Sequence, residues 1–255
     1  MVPSMSPAVV KSAQRSFAVF EIFDRARRPL ALKAVCEELG CPVSSGAALL
    51  KSLVTLGYLD YDRDQRTYFP TMRISILGRW VEGTMFGEGH ILRLMEDLQA
   101  AIDETTIMLA TQSDVHAQYV HVLMRGEPLQ FNTPPGTLRP LARSGVGLML
   151  LSARTDAEIE RLCRRINVEV RGGERVDFGQ VMETVRRARD EGYVFAKNMA
   201  MPQGSVIALL LPRGPFGKQF ALGIGGGTAR LERDTDAILQ EARARIDRLK
   251  EIVTA

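Results

Sequence analysis

Leu39-Gly40-Cys41-Pro42-Val43-Ser44-Ser45-Gly46-Ala47-Ala48-Leu49-Leu50-Lys51-Ser52-Leu53 is the stretch on which the fold of the first third turns. Gly40 suits the end of a helix, where a left-handed residue closes the last turn. Gly40-Cys41-Pro42 reads as a tight turn. A new helix is expected from Ser44 or its neighbour to about Leu56, ended by Gly57. Leu49, Leu50, Leu53 and Leu56 fall on one helical face. Upstream, Leu32 to Leu39 reads as a short second helix and residues 11–28 as a first. Ser12 is the expected N-cap of that first helix. Phe17, Phe20, Ile22 and Phe23 carry its apolar positions, and Arg27-Arg28-Pro29 mark its end. Downstream, Tyr58-Leu59-Asp60-Tyr61-Asp62 and Thr67-Tyr68-Phe69 flank the charged Arg63-Asp64-Gln65-Arg66, the pattern of a β-hairpin. Helix, helix, tight turn, helix, hairpin is the order of a winged helix-turn-helix. Two short helices cannot bury their faces alone. The first helix and the hairpin cover them, which leaves one side of the third helix free to enter a major groove.

Residues 71–104 read as mainly helical, with breaks at Gly83, Gly87 and Gly89. Ile91, Leu94, Met95, Leu98 and Ile102 form one stripe of an amphipathic helix. We assign 1–78 to the winged head, 79–104 to a linker helix and 105–255 to a second domain. In the second domain, strands are expected at Thr105–Ala110, Gln118–Met124, Pro128–Asn132, Tyr193–Lys197, Val206–Leu211 and Phe220–Ile224. Helices are expected at Leu141–Ala153, Asp156–Arg165, Phe178–Glu191 and Leu231–Ile252. This mixture fits an α+β domain built on an antiparallel sheet.

Composition narrows the classes. The 255 residues are 45% hydrophobic and 25% charged, near the globular average, so a wholly disordered or fibrous chain is excluded. The longest apolar run, Val206 to Leu211, is far too short for a membrane span. Residues 1–10 contain Pro3 and Pro7 and lack the basic start and apolar block of a signal peptide. Cys36, Cys41 and Cys163 show no CxxC spacing, so reduced thiols in a cytoplasmic protein are expected. The net charge is +3. Residues 1–85 hold 11 Lys+Arg and 8 Asp+Glu, and the remainder is balanced. A small basic module joined to a neutral one is compatible with DNA binding plus a second activity.

Several motifs here resemble the IclR family of bacterial transcriptional regulators, over most of the chain. Ser12-Ala-Gln-Arg15-Ser-Phe-Ala-Val-Phe-Glu-Ile is similar to the family's first helix, and Gly40-Cys41-Pro42-Val43-Ser44-Ser45 to its turn. Leu49-Leu50-Lys51-Ser52-Leu53, Gly57-Tyr58-Leu59, Tyr68-Phe69-Pro70 and Leu77-Gly78 resemble the end of the recognition helix, the wing entry and its exit. Gly136-Thr-Leu-Arg-Pro140-Leu141 and Glu191-Gly192-Tyr193 resemble segments of the family's second domain. The resemblance implies a GAF-like α+β effector domain, a homodimer or homotetramer, and operator binding tuned by a small molecule. The chain also departs from the pattern. The family commonly has a basic residue at Val43, Thr at Ser45, His or an aromatic at Ala47 and Arg at Ala48, and in the second domain His at Ala142, Thr at Ser144 and Lys at Leu148. The third helix has therefore lost long donors, and Gly46 costs it roughly 1 kcal/mol relative to Ala. The head then reads DNA through serines, small apolar contacts and the wing, or leans on backbone N–H groups, or binds weakly.

The candidate DNA-binding residues are Ser44, Ser45, Lys51, Arg63, Gln65, Arg66, Arg27 and Arg28. Hydroxyls can bond phosphates or base edges, Lys51 can neutralise a phosphate, and wing arginines suit a minor groove. The bland alternatives are a cap for Ser44 or Ser45, a solvated face for Lys51, a charged turn for the wing tip and helix-end charges for Arg27 and Arg28. The candidate effector residues are Arg143, Ser144 and Gly145 at a helix start, where a carboxylate is favoured, with Lys197, Asn198 and Met201 closing over it. Their bland alternatives are a surface arginine, a simple cap and an exposed loop. Gly223-Ile224-Gly225-Gly226-Gly227 mimics a dinucleotide loop but lacks the spaced third glycine and a following βαβ unit. His90, His116 and His121 have no metal-ligand spacing, and parity puts His116 and His121 on opposite faces of one strand. No cofactor, metal site or enzymatic activity is expected. The expected partners are a near-palindromic double-stranded DNA operator, a small organic, anionic effector and further copies of the chain, with no membrane. The alternative is a small-molecule sensor whose DNA-binding head has weakened or decayed and which acts through protein contacts.

Overall fold

The computed structural model describes residues 10–86, 89–103, 105–124, 134–169, 175–198 and 203–254. They fall into two compact units that part between Glu82 and Gly83.

The first unit runs α1 (Lys11–Ala26), β1 (Leu30–Ala31), α2 (Leu32–Leu39), α3 (Val43–Thr55), β2 (Leu59–Asp62) and β3 (Thr67–Pro70), then α4 (Arg73–Phe86), which crosses the boundary. Its core is Val19, Ile22, Phe23, Leu30, Val35, Leu50, Leu53 and Leu59. Of the first-helix aromatics, Phe23 is buried, Phe20 meets Tyr58 edge-on and Phe17 is 71% exposed. Val10 occupies the N-cap position of α1, so Ser12 lies two residues inside, in the first turn, and does not cap it. Gly40 closes α2 in the left-handed conformation, and the Cys41 N–H donates to the Cys36 carbonyl at 3.1 Å, the closure the sequence predicts. The wing is the antiparallel pair β2–β3. Its turn is held by the Asp62 carboxylate, which accepts the N–H groups of Asp64 and Gln65 at 2.8 and 2.9 Å. β1 adds a third strand, in the order β1-β3-β2. Two residues are too few to show a sequence periodicity.

Gly46 has a packing reason that the sequence does not reveal. It lies where α3 crosses α2, and a Cβ there would overlap the buried Cys36 Sγ. The buried stripe of α3 is Gly46, Leu50 and Leu53. Leu49 is half-buried and Leu56 exposed, so the stripe is narrower than the leucine pattern suggested.

The second unit contains α5 (His90–Ala101), β4 (Thr106–Ser113), β5 (His116–Met124), β6 (Leu138–Pro140), a 3₁₀ turn (Leu141–Arg143), α6 (Gly145–Ser152), α7 (Asp156–Glu169), α8 (Phe178–Glu191), β7 (Val194–Lys197), β8 (Gly204–Leu210), β9 (Phe220–Gly227) and α9 (Thr228–Thr254). The six strands form one antiparallel sheet in the order β6-β5-β4-β9-β8-β7. Helices α6, α7 and α8 share a core with one face, and α5 and α9 with the other. The strand expected at Pro128–Asn132 lies outside the described residues.

Expectations change in the second unit as well. The helix assigned to the linker is α5, whose Ile91, Leu94, Met95 and Leu98 are buried with Ile107, Leu109 and Ile224 of the sheet and Leu239 and Ala242 of α9, so it is part of the second unit. The helix expected from Leu141 begins only at Gly145, because Ser144 interrupts it as an N-cap: its hydroxyl accepts the Gly147 N–H at 3.2 Å. His116 and His121 share a face. A bulge in β5 beside Leu109/Ala110 adds one residue, so His121 pairs with Leu109 while His116 pairs with Ser113. The glycine run 223–227 is strand β9 itself. A Cβ on Gly223 would lie 2.8 Å from the Val146 side chain, so the bare strand lets α6 approach closely.

Candidate nucleic-acid interface and ligand cavity

In the first unit, α3 buries one stripe and exposes Val43, Ser44, Ser45, Ala48, Lys51, Ser52 and Thr55. Pro42 occupies its N-cap position and offers no side-chain acceptor. The first N–H to close a helical bond is that of Gly46, onto the Pro42 carbonyl at 3.0 Å. The N–H groups of Val43, Ser44 and Ser45 thus remain open at the positive end of the helix. Neither Ser44 nor Ser45 caps α3, and among the described residues their hydroxyls have no hydrogen-bond partner. Ser52 differs, since its hydroxyl donates to the Ala48 carbonyl at 2.8 Å.

The remaining DNA-binding candidates are all exposed. Lys51, Arg63, Arg66 and Arg28 form no ion pair among the described residues. Arg66 sits in the wing turn with φ 54°, and Arg27 is the left-handed C-cap of α1, paired with Asp24 at 2.6 Å. That exposed pair is weak and easily exchanged for a phosphate.

In the second unit, a cavity of about 310 Å³ lies between the start of α6 and α8. Ala142, Arg143, Leu148, Arg175, Val176, Asp177, Gln180, Val181 and Thr184 line it. Ala142, Leu148 and Val181 supply an apolar floor. Arg143 and Arg175 supply two guanidinium groups, and neither has an ion-pair partner among the described residues. The Asp177 carboxylate accepts the Gln180 N–H at 2.9 Å as the N-cap of α8. Among the described lining residues, two arginines stand against one engaged carboxylate, a positive balance.

The effector candidates separate. Arg143 lines the cavity. The Ser144 hydroxyl is used within the fold, donating to the Pro140 carbonyl at 3.1 Å and accepting from Gly147. Gly145 is buried against Ala196 and Val206. Lys197 pairs with Glu232 of α9 at 2.7 Å and lies over the Phe195 ring. The cavity is on the other side of the sheet, among α6 and α8. Asn198, at φ 53°, accepts the Gln203 N–H at 2.8 Å, so its side chain is engaged within the fold. Met201 lies outside the described residues. Sequence reasoning missed Arg175, Gln180 and Thr184. They come to Arg143 only through tertiary packing, and nothing local marks them.

Burial also shapes the titratable groups. It pushes the Tyr119 phenol up, with Arg139 opposing. It pushes the Cys163 and Cys36 thiols up as well, and the neighbouring Cys41 adds to the effect at Cys36. Among the described residues no group of three or more His, Cys, Asp or Glu could hold a metal ion, and no helix is long and apolar enough to cross a membrane.

Residues 12–63 match the model of the IclR helix-turn-helix domain, and residues 90–249 match that of the bacterial transcriptional regulator IclR C-terminal domain. The effector domain of a putative IclR regulator from Acinetobacter sp. ADP1 is 28% identical, with a TM-score of 0.60 over 66% of this chain and 98% of that one. A putative regulator from Rhodococcus sp. RHA1 is 20% identical, with a TM-score of 0.71 over 94% of this chain and 96% of that one. An IclR homolog from Microbacterium hydrocarbonoxydans, solved with 4-hydroxybenzoate, is 21% identical, with a TM-score of 0.70 over 92% and 97%. No curated protein matches the sequence. With a helix-turn-helix unit followed by an α+β unit, and with both family models matched over their respective units, the chain belongs to the IclR family of bacterial transcriptional regulators.

Proposed function

We propose that the protein binds a near-palindromic double-stranded operator through α3 and the wing, and that a small organic anion in the Arg143–Arg175 cavity modulates that binding from the cytoplasm. One observation supports the first half above others: among the described residues, three open N–H groups and two unbonded serine hydroxyls stand at the exposed start of α3. A phosphate at the helix start would meet those N–H groups. Ser44, Ser45 and Lys51 would follow the groove, and Arg63, Gln65 and Arg66 the flanking backbone or minor groove. Arg27 and Arg28 would add phosphate contacts. The cavity supports the second half. Its apolar floor and paired guanidiniums suit a carboxylate on an aromatic or aliphatic body, and the Microbacterium neighbour's 4-hydroxybenzoate is of that class.

A two-fold operator requires at least a homodimer. Helix α4 offers a surface for it, with Ile76, Leu77 and Trp80 all more than half exposed on consecutive turns, and Trp80 at 65%. Dimer and tetramer both satisfy this reading.

The test is an operator titration with the DNA upstream of the chain's own gene, at several salt concentrations, with and without 4-hydroxybenzoate. A regulator loses affinity steeply with salt, and its melting point rises with a ligand that binds the native state. One observation favours the alternative of a sensor with a weakened head: the exposed face of α3 carries only one cation, Lys51. Absence of any shift at low salt, with ligand stabilisation intact, would favour that alternative.

A further inference from the structure

The closure of α2 brings two side chains together by a general rule. When a left-handed residue ends a helix in this manner, the residue four places before it and the residue one place after it are joined by a backbone hydrogen bond, and their side chains frequently meet in an apolar contact. In this chain those two residues are Cys36 and Cys41, joined by the 3.1 Å bond from the Cys41 N–H to the Cys36 carbonyl. Both thiols are free. A Cβ on Gly46 would overlap Cys36 Sγ and would lie 3.5 Å from Cys41 Sγ, so both sulfurs gather at the same notch in the recognition helix. Cys36 is buried at 3% exposure and Cys41 is half-exposed. One sulfur is therefore reachable from solvent, with the second directly behind it.

We propose that Cys36 and Cys41 form a reversible disulfide that moves α3 against α2 and so lowers operator affinity under oxidising conditions. The idea rests on the reading of α3 as the DNA-contacting helix. The oxidant is a hydroperoxide. The Cys41 thiolate attacks its outer oxygen, the O–O bond breaks, an alcohol or water leaves, and Cys41 becomes a sulfenic acid. The Cys36 sulfur then attacks Cys41 Sγ, the S–O bond breaks, and water leaves with the Cys36 proton. Two thiols and one hydroperoxide give one disulfide, one alcohol (or water) and one water, and the peroxide is reduced as the sulfurs are oxidised. Burial raises the Cys36 thiol above its ordinary range, which leaves the first attack to Cys41. The bond pulls Cys36 Sγ towards Cys41 Sγ, and Cys36 Sγ is the atom seated against Gly46 of α3. A packed helix crossing does not deform continuously, so displacing that sulfur shifts the seat of α3.

The experiment treats the full-length folded protein with hydrogen peroxide and counts free thiols by mass spectrometry, alongside operator binding before and after reductant. The expected result is loss of two thiols with a mass lower by two hydrogen atoms, a peptide containing the Cys36–Cys41 bond, and a fall in operator affinity of about fivefold or more, the range of an allosteric coupling, reversed by dithiothreitol. Cys163→Ser should retain the whole response and Cys41→Ser should lose it. Cys41→Ala checks that the loss is not due to a new hydroxyl. Thiols that remain free in the folded protein, or that cross-link only between chains, overturn the proposal. A disulfide that forms without changing operator affinity overturns its regulatory half. If the reduced protein binds no DNA while the internal disulfide still forms, the interface reading has failed and the thiol chemistry stands.

Discussion

Gly46→Ala separates two accounts of the recognition helix. If Gly46 only marks a weakened helix, alanine should stabilise α3 by about 1 kcal/mol through helix propensity. The structure gives the opposite sign. The added methyl would overlap Cys36 Sγ in the crossing of α2 and α3. Cys36 is 3% exposed and has a single side-chain torsion for relief. Overpacking of this kind costs about 1–3 kcal/mol, towards the upper end here because one staggered well is rare inside a helix. The net expectation is a loss of about 1–2 kcal/mol. With a denaturant slope of about 1–2 kcal/mol/M, that is a fall of about 1 M in the urea midpoint of the first unit. Trp80, the chain's single tryptophan, lies in that unit and supplies a local fluorescence signal beside circular dichroism. Cys36→Ala completes the cycle. With the sulfur gone, Gly46→Ala should turn mildly stabilising, giving a coupling of about 2–3 kcal/mol. A Gly46→Ala protein as stable as the parent or more so, with Cys36 in place, refutes the tight crossing and restores the weakened-helix account.

Four further outcomes follow from the geometry. Lys51→Ala should weaken operator binding and reduce the log–log salt slope by about 1, as loss of one phosphate contact requires; an unchanged slope removes Lys51 from the interface. Arg143→Ala or Arg175→Ala should weaken a carboxylate probe by about 10- to 100-fold, from the 1.5–3 kcal/mol of a charged hydrogen bond, with the ligand-free melting point little changed, both read by thermal shift. Trp80→Glu should shift the sedimentation equilibrium towards monomer, and an unaltered oligomer would place the contact elsewhere. The Glu158 carboxyl is held below its ordinary range by the backbone and hydroxyl hydrogen bonds of Thr155. A lowered folded value means that its contribution is present above the ordinary carboxylate pKa and lost as pH falls through the folded one. Thr155→Ala should therefore raise the Glu158 titration measured by NMR, and Glu158→Gln should flatten the acid limb of stability.

The winged head was legible because its signals are local. Gly40 must adopt a left-handed turn, Pro42 cannot sit inside a helix, and the charged 63–66 stretch separates two β-type runs. What failed depended on partners remote in sequence. The stripe of α5 shows that one face is buried without saying against what, and its partners are strands and α9. Strand parity misplaced the histidines because the bulge belongs to the pairing of β5 with β4 and not to β5 alone. Parity would have served better at Lys197: Val194 and Ala196 join the α6 side of the sheet, so Lys197 had to face α9. The Thr155–Glu158 capping box was also readable, as Thr-x-x-Glu before a helix, with the Glu158 carboxylate accepting the Thr155 N–H at 2.9 Å.

Departures from the family pattern carry opposite physical weight in the two units. On α3, Val43 and Ala48 are exposed where a basic residue and Arg are common. Their smallness removes donors from a surface that water already satisfies, so the folded chain gains nothing in exchange, and on the proposed reading the loss falls on DNA affinity. In the cavity, Ala142 and Leu148 replace His and Lys at buried positions. There the same polar-to-apolar change removes the cost of holding an imidazole or ammonium out of water. Among the described residues it also leaves Arg143 and Arg175 as the only cations lining the cavity. On the proposed reading, a ligand places its charge at the two arginines and its apolar body against Leu148. Leu148→Lys should then admit a second anionic group at the cost of the single-headed ligand. If a dicarboxylate binds the parent more tightly than a monocarboxylate of equal size, the apolar floor is not setting specificity and the two arginines act alone.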